Sequence, residues 1–136
     1  MAEVRTSRSD ADIQEVIERI ITHYPPLVLD RHHINVQVSN GKVTVSGYIR
    51  TRITRKYFVD ALRHNPEITE LDADTLYSDE DIRLDVGQQI PAGVQSNIDH
   101  GAVVLTGRLP EGAQADQVVK AVQGVRGVRA VHTRFM

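Results

Sequence analysis

The sequence predicts an α+β fold made of two tandem αββαβ modules, each a three-stranded sheet with two helices on one face. Three observations carry this. Asn40-Gly41-Lys42-Val43-Thr44-Val45-Ser46-Gly47 returns as His100-Gly101-Ala102-Val103-Val104-Leu105-Thr106-Gly107, an offset of 60 residues. Ser9-Asp10-Ala11-Asp12-Ile13 returns as Ser78-Asp79-Glu80-Asp81-Ile82, an offset of 69. In both copies the apolar pattern is helical, then alternating, then helical, then alternating. A repeat in fixed order defines the architecture before any single residue is read. The modules are placed at residues 9–77 and 78–136, after a tail at 1–8, with the second module about nine residues shorter ahead of its first strand.

Each module opens with a helix. Ser9 and Ser78 are N-cap candidates, with Asp12 and Asp81 three residues on as a variant capping box. Ile13, Val16, Ile17, Ile20 and Ile21 make one apolar stripe, and Ile82, Val86 and Ile90 make the second. Pro25-Pro26 and Pro91 stop the two helices. A hairpin follows. Ile34, Val36 and Val38 alternate with polar residues, and Asn40-Gly41 is a strong hairpin signal because both residues accept positive φ. His100-Gly101 stands at the matching turn, between Val94/Ile98 and Val103/Leu105. Gly47 and Gly107 are read as places where a helix packs close against the sheet.

The second helix runs over about 51–64 and about 111–123. Its inner residues are Ile53, Tyr57, Phe58, Ala61 and Leu62, then Ala115, Val118, Val119 and Val122. A last strand carries Ile68, Leu71 and Ala73, then Val128, Val131, Thr133 and Phe135. The outer sheet face of the first module is polar (Asn35, Gln37, Thr44, Ser46, Asp72, Asp74) and is free to bind something.

A module of about 65 residues is near the lower limit for an unaided core. The two are therefore expected to pack together or to bury surface in a homo-oligomer. The hydrophobic fraction is 40%, the charged fraction 25% and the formal charge −2. That balance fits a soluble globular protein and argues against a nucleic-acid partner. With no cysteine, disulfides and thiolate zinc sites are excluded. Met1-Ala2-Glu3-Val4-Arg5 leads into polar residues with no secretory leader, and no stretch approaches a transmembrane span. The expected location is cytoplasmic if Met1 is the native start, and envelope-associated if a leader has been removed.

The helix, then Ile34-x-Val36-x-Val38-x-Asn40-Gly41-x-Val43-x-Val45-x-Gly47, then a helix, then Gly127-Val128-x-x-Val131, resembles the BON domain, a family named from a bacterial osmotic-shock protein and nodulation proteins. The first copy departs at its end, with Glu67-Ile68-Thr69-Glu70-Leu71. The second departs at Pro91-Ala92-Gly93. The resemblance implies a non-enzymatic bacterial module that binds phospholipid or envelope surfaces, in some settings under osmotic stress. A cytoplasmic relative binds potassium. The motif is mostly core, so it carries over no catalytic residue and no cofactor.

The candidate lipid- or anion-binding residues are Arg50, Arg52, Arg55 and Lys56 with Tyr48 and Tyr57, four cations and two tyrosines around the start of a helix. Anionic lipid attracts such a cluster by about 1 kcal/mol per cation near the surface; an ordinary solvated helix face is the competing reading. Asn40, Gly41, His100 and Gly101 are structural turn residues. An acidic run (Glu67, Glu70, Asp72, Asp74, Asp79, Glu80, Asp81, Asp85) offers Asp72/Asp74 or Asp79/Asp81 as a cation site. Without EF-hand spacing, capping and charge complementarity are the simpler account, and no metal site is assigned. His32 and His33 would point to opposite sides of an extended chain. Nucleophile-elbow, dinucleotide and phosphate-loop motifs are absent.

These features lead to a non-catalytic adaptor associating with phospholipid or an envelope-associated partner. The alternative is a soluble cytosolic interaction scaffold or a small-ion, potassium-like sensor.

Overall fold

The structure, a computed structural model, describes the backbone of residues 2–136 and the side chains of residues 10–136. The chain divides into two compact units, Met1–Leu76 and Tyr77–Met136. Each is α+β, with helices packed on its own three-stranded sheet.

The first unit begins with α1 (Ala2–His23), followed by α2 (Pro25–Asp30) and a 3-10 turn at Arg31–His33. The sheet is β1 (Ile34–Ser39), β2 (Lys42–Ile49) and β3 (Glu70–Ser78), in that spatial order, with α3 (Arg52–Arg63) between β2 and β3. The boundary between units falls inside β3. The core of this unit draws Ile13, Ile17 and Ile21 from α1, Leu27 from α2, Val43, Val45 and Ile49 from β2, and Phe58 and Leu62 from α3. The second unit repeats the plan with α4 (Asp79–Gly87), β4 (Val94–Asp99), β5 (Ala102–Gly107), α5 (Ala115–Gln123) and β6 (Ala130–Phe135), the sheet order being β4-β5-β6. Strands β4 and β5 pair antiparallel, and β5 and β6 pair parallel.

Both hairpins turn through two left-handed residues, as the sequence predicts. Asn40 and Gly41 have φ of 52° and 82°, and His100 and Gly101 have 47° and 84°. Their registers correspond, with Val38 opposite Val43 and Ile98 opposite Val103.

Several expectations are corrected. Helix α1 starts at Ala2, so Ser9 lies within it and is not an N-cap; its side chain lies outside the described residues. Ser78 does cap α4, accepting from the Asp81 N–H at 3.1 Å while donating its hydroxyl to the Asp81 carboxylate at 2.9 Å. Helix α4 ends at Gly87, which leaves Ile90 in the following turn. Pro25-Pro26 ends α1 but also opens α2, because proline at the first helical positions lacks an N–H that would have no partner there.

Gly47 and Gly107 are approached by backbone, not by a helix. A Cβ on Gly47 would lie 1.9 Å from the His33 carbonyl oxygen, and one on Gly107 2.2 Å from that of Gly93. The chain entering each module's first strand occupies that space. Helix α3 buries Thr54, Phe58, Val59 and Leu62, whereas Ile53 is 73% exposed and Tyr57 44%. Thr54 can face inward because its hydroxyl accepts a hydrogen bond from Thr51 at 2.7 Å. In β3, Ala73 and Leu76 are both buried, a spacing of three that breaks the alternation. His32 and His33 sit in the 3-10 turn and are not extended.

Candidate functional site

The residues singled out around the start of α3 are held in different ways. Arg50 follows β2. Its backbone N–H donates to Asp30 at 3.2 Å, and its guanidinium lies 3.3 Å from the same carboxylate. Asp30 is 1% exposed, so Arg50 compensates a buried charge at the end of α2. Thr51 caps α3 by accepting from the Thr54 N–H. Arg55 turns inward: Nε donates to the Leu76 carbonyl at 2.7 Å and an Nη to the Ala73 carbonyl at 3.0 Å. Its fork ties α3 to β3. Lys56 pairs with Asp60 one turn along at 2.7 Å, which lowers the Asp60 pKa below the ordinary carboxylate value. Arg52 is exposed, and Tyr48 is half-buried on β2. Tyr57 stacks on Tyr24, ring centroids 3.9 Å apart and planes 14° from parallel.

What sequence reasoning missed is the aliphatic part of this face. Among the described residues, the large hydrophobic side chains exposed in the first unit are Val28 and Leu29 on α2 and Ile53 and Tyr57 on α3. Helices α2 and α3 are in contact, and the Tyr24–Tyr57 stack joins the residue capping α2 to α3. Apolar side chains thus stand in water on the element pair that also carries Arg52 and Lys56, with Arg50 just ahead of α3. The signal was Pro-Pro-Leu-Val-Leu-Asp, a proline-started helix too short to bury all of its apolar residues.

Four members of the acidic run, Glu70, Asp72, Asp79 and Asp81, have structural roles. Asp79 accepts the His100 N–H at 2.6 Å and the Gly101 N–H at 3.0 Å. Asp10 does the same for Asn40 and Gly41, at 2.8 Å each. One carboxylate at the helix thus ties down each hairpin turn. The repeated Ser-Asp pair was the visible trace of this, although sequence reading gave the role to the capping box. From the other side, Arg129 closes the second turn, its backbone N–H donating to Gly101 at 2.9 Å and its Nε to the His100 carbonyl at 2.6 Å. In the first turn the Thr69 N–H donates to Gly41 at 2.9 Å.

Asp79, Asp99 and His100 bring ligand atoms close enough for a metal ion. Their geometry is already used, since both Asp79 oxygens hold backbone N–H groups and Asp99 binds the His100 ring at 2.6 Å. Asp72 accepts the Asp74 N–H at 3.0 Å, and Asp81 belongs to the Ser78 cap. Lys42 pairs with Glu70 at 3.0 Å, which raises the lysine pKa. Among the described residues no helix is long and apolar enough to cross a membrane.

Two related modules, each with helices packed on a three-stranded sheet, make a tandem of α+β domains. The BON domain matches this chain twice, over residues 9–70 and 78–135, and the chain belongs to that family. Among proteins with curated descriptions, none matches in sequence. The fold is similar to the C-terminal domain of CdsD, described as a structural protein of the type III secretion system of Chlamydia trachomatis. The identity is 24%, the TM-score 0.71, and the match covers 90% of this chain and 63% of that one. A second CdsD structure gives 23% identity and a TM-score of 0.70, over 93% of this chain and 62% of the other. The chain therefore spans less than two thirds of these neighbours.

Proposed function

We propose that the protein is a non-catalytic adaptor that associates with anionic phospholipid at an envelope surface through the α2–α3 face of its first module. The observation that carries this reading is the coincidence of exposed Val28, Leu29, Ile53 and Tyr57 with Arg52 and Lys56 on two touching helices, with Arg50 just ahead of α3. Apolar side chains of this kind enter the headgroup boundary while neighbouring cations meet lipid phosphates. Tyrosine suits the same depth, apolar in its ring and polar at its tip. Arg55 supports the site from behind by fixing α3 to β3.

The test is co-sedimentation with vesicles of phosphatidylglycerol and phosphatidylcholine, against phosphatidylcholine alone. Binding is expected only with the anionic lipid and should weaken as salt screens the charges. Arg52→Gln with Lys56→Gln, and separately Leu29→Ser with Ile53→Ser, should each reduce it steeply with the fold retained. A wild-type protein that ignores anionic vesicles at low salt would remove this reading. The cytosolic scaffold or ion sensor would then lead.

A further inference from the structure

The geometry points to a peptide-binding groove on the first module, in which an extended segment of a partner protein adds a strand to the open edge of β1. Strand β1 is an edge of its sheet and, among the described residues, pairs on one side only, with β2. The two-residue turn fixes which backbone groups that edge offers. Ser39 and Lys42 flank the turn and exchange hydrogen bonds. Inward-bonding and outward-facing residues then alternate, so Val36 and Val38 direct their N–H and C=O groups away from β2. Ile34 contributes its carbonyl, its N–H being engaged by the Arg31 carbonyl.

Beside this edge lies a groove of about 530 Å³, floored by Ile17 and Ile21 of α1 and by Ile34 and Val36, with Glu18, Arg31 and His32 at its rim. A row of outward backbone groups next to a trough with a polar rim, where half-buried Ile34 and Val36 still show apolar surface, suits a strand whose alternate side chains are apolar.

The second module supplies an internal comparison. At the matching positions Val94 and Ile98 are buried, at 7% exposure each, and Ser96 replaces Val36. The same three sites in β1 are apolar and only half-buried. The difference follows the chain between helix and strand. In the first module α2 and the 3-10 turn intervene between α1 and β1, whereas in the second only residues 88–93 do. The longer connection parts helix from strand and leaves apolar surface that the shorter one closes.

Charge gives the occupant a direction. Arg31 and His32 line the end of the groove where β1 begins, with Arg31 held by Glu18 at 2.5 Å. An antiparallel guest strand brings its C-terminal end there. The fitting partner is therefore a segment of about five residues with apolar residues at alternate positions and an acidic C-terminal end. This surface is distinct from the α2–α3 face, and a protein carrying both could hold a protein partner at a lipid surface.

The probe is a fluorescent synthetic octapeptide of alternating threonine and valine ending in two glutamates, titrated against the full chain. Saturable binding is expected, with slowed amide exchange at Val36 and Val38. Val36→Pro deletes an outward N–H and leaves the β1–β2 ladder intact, as proline at an edge position allows. It should weaken binding at least tenfold, while Ser96→Pro in the second module leaves binding unchanged. If Val36→Pro fails to fold, the exchange measurement on the wild type decides alone. No saturation up to about 1 mM peptide, binding without protection of Val36 and Val38, or equal binding by a folded Val36→Pro would each overturn the proposal. So would self-association of the wild type abolished by Val36→Pro, which assigns the edge to a second copy.

Discussion

The Asp79 carboxylate holds His100 by its backbone: Oδ2 accepts the His100 N–H at 2.6 Å, and Oδ1 accepts that of Gly101 at 3.0 Å. A type of turn that needs two left-handed residues is thereby fastened to the first turn of α4. Left-handed backbone costs a non-glycine residue energy, so His100 at φ 47° is a position the surroundings must enforce.

Removing that acceptor should be expensive. Asp79→Ala leaves two buried donors without a partner, which costs about 1–3 kcal/mol or more. Asp10→Ala, at a turn whose Asn40 is exposed, should cost less because water can replace the carboxylate. Urea unfolding of both variants checks the order, and equal losses would mean that burial is not what sets the cost.

The same carboxylate predicts an unusual pH dependence. Burial pushes Asp79 above the ordinary carboxylate value, against the opposing pull of the His100 and Gly101 N–H groups. The folded state then holds this proton more tightly than the unfolded state does. The contribution of Asp79 to stability is full below its unfolded pKa, near about 4, and declines as pH rises through the folded value. Asp60 has the opposite sign. Its pKa is lowered by Lys56, so its contribution is lost on acidification, though solvent screening of this surface pair makes it small. Carbon-detected NMR titration should place the Asp79 midpoint above that of Asp60, and wild-type stability relative to Asp79→Asn should fall from about pH 4 upward.

The glycines separate by what surrounds them. Gly47→Ala places a Cβ 1.9 Å from the His33 carbonyl oxygen at a φ of 112°, and Gly107→Ala repeats the collision with Gly93 at 2.2 Å. Neither neighbour is a flexible side chain. Each change should destabilise by about 3 kcal/mol or more, in the range of strained special positions. Gly87→Ala, at the last residue of α4 with nothing within 4 Å of the added carbon, should instead stabilise by about 0.5–1 kcal/mol. Thermal melts of the three variants test both signs.

The repeat made the architecture readable from the sequence. Asn40-Gly41 and His100-Gly101 announce turns because few residues accept that backbone, and Ile13, Ile17 and Ile21 announce a buried stripe by their spacing. What was not readable depends on contacts distant in the chain. Nothing local to Gly47 says that His33 crosses it. Nothing local to Thr54 says that it displaces Ile53 from the core, since the sequence does not record that Thr51 will satisfy its hydroxyl. The basic cluster at Arg50–Lys56 was legible as a cluster, but its division of labour was not. Asp30 and the β3 carbonyls, the groups that claim Arg50 and Arg55, lie some twenty residues away on either side.

That division yields the last prediction, which separates holding the fold from meeting a lipid surface. The Arg55 fork reaches two carbonyls of β3, at 2.7 and 3.0 Å, which the single ammonium of lysine cannot match in geometry. Arg55→Lys keeps the charge and should lose about 1 kcal/mol of stability, while binding to anionic vesicles persists wherever the protein remains folded. Arg52→Gln with Lys56→Gln should do the reverse. Both positions are exposed, and the Lys56–Asp60 pair is a surface ion pair, so stability should change by only about 0.5 kcal/mol. Vesicle binding should nonetheless fall, since about 1 kcal/mol is removed for each cation near the surface. Chemical denaturation and co-sedimentation on the same two variants give the comparison. A double variant that binds vesicles as well as the wild type would move the lipid contact away from α3, whatever Arg55→Lys does to the fold.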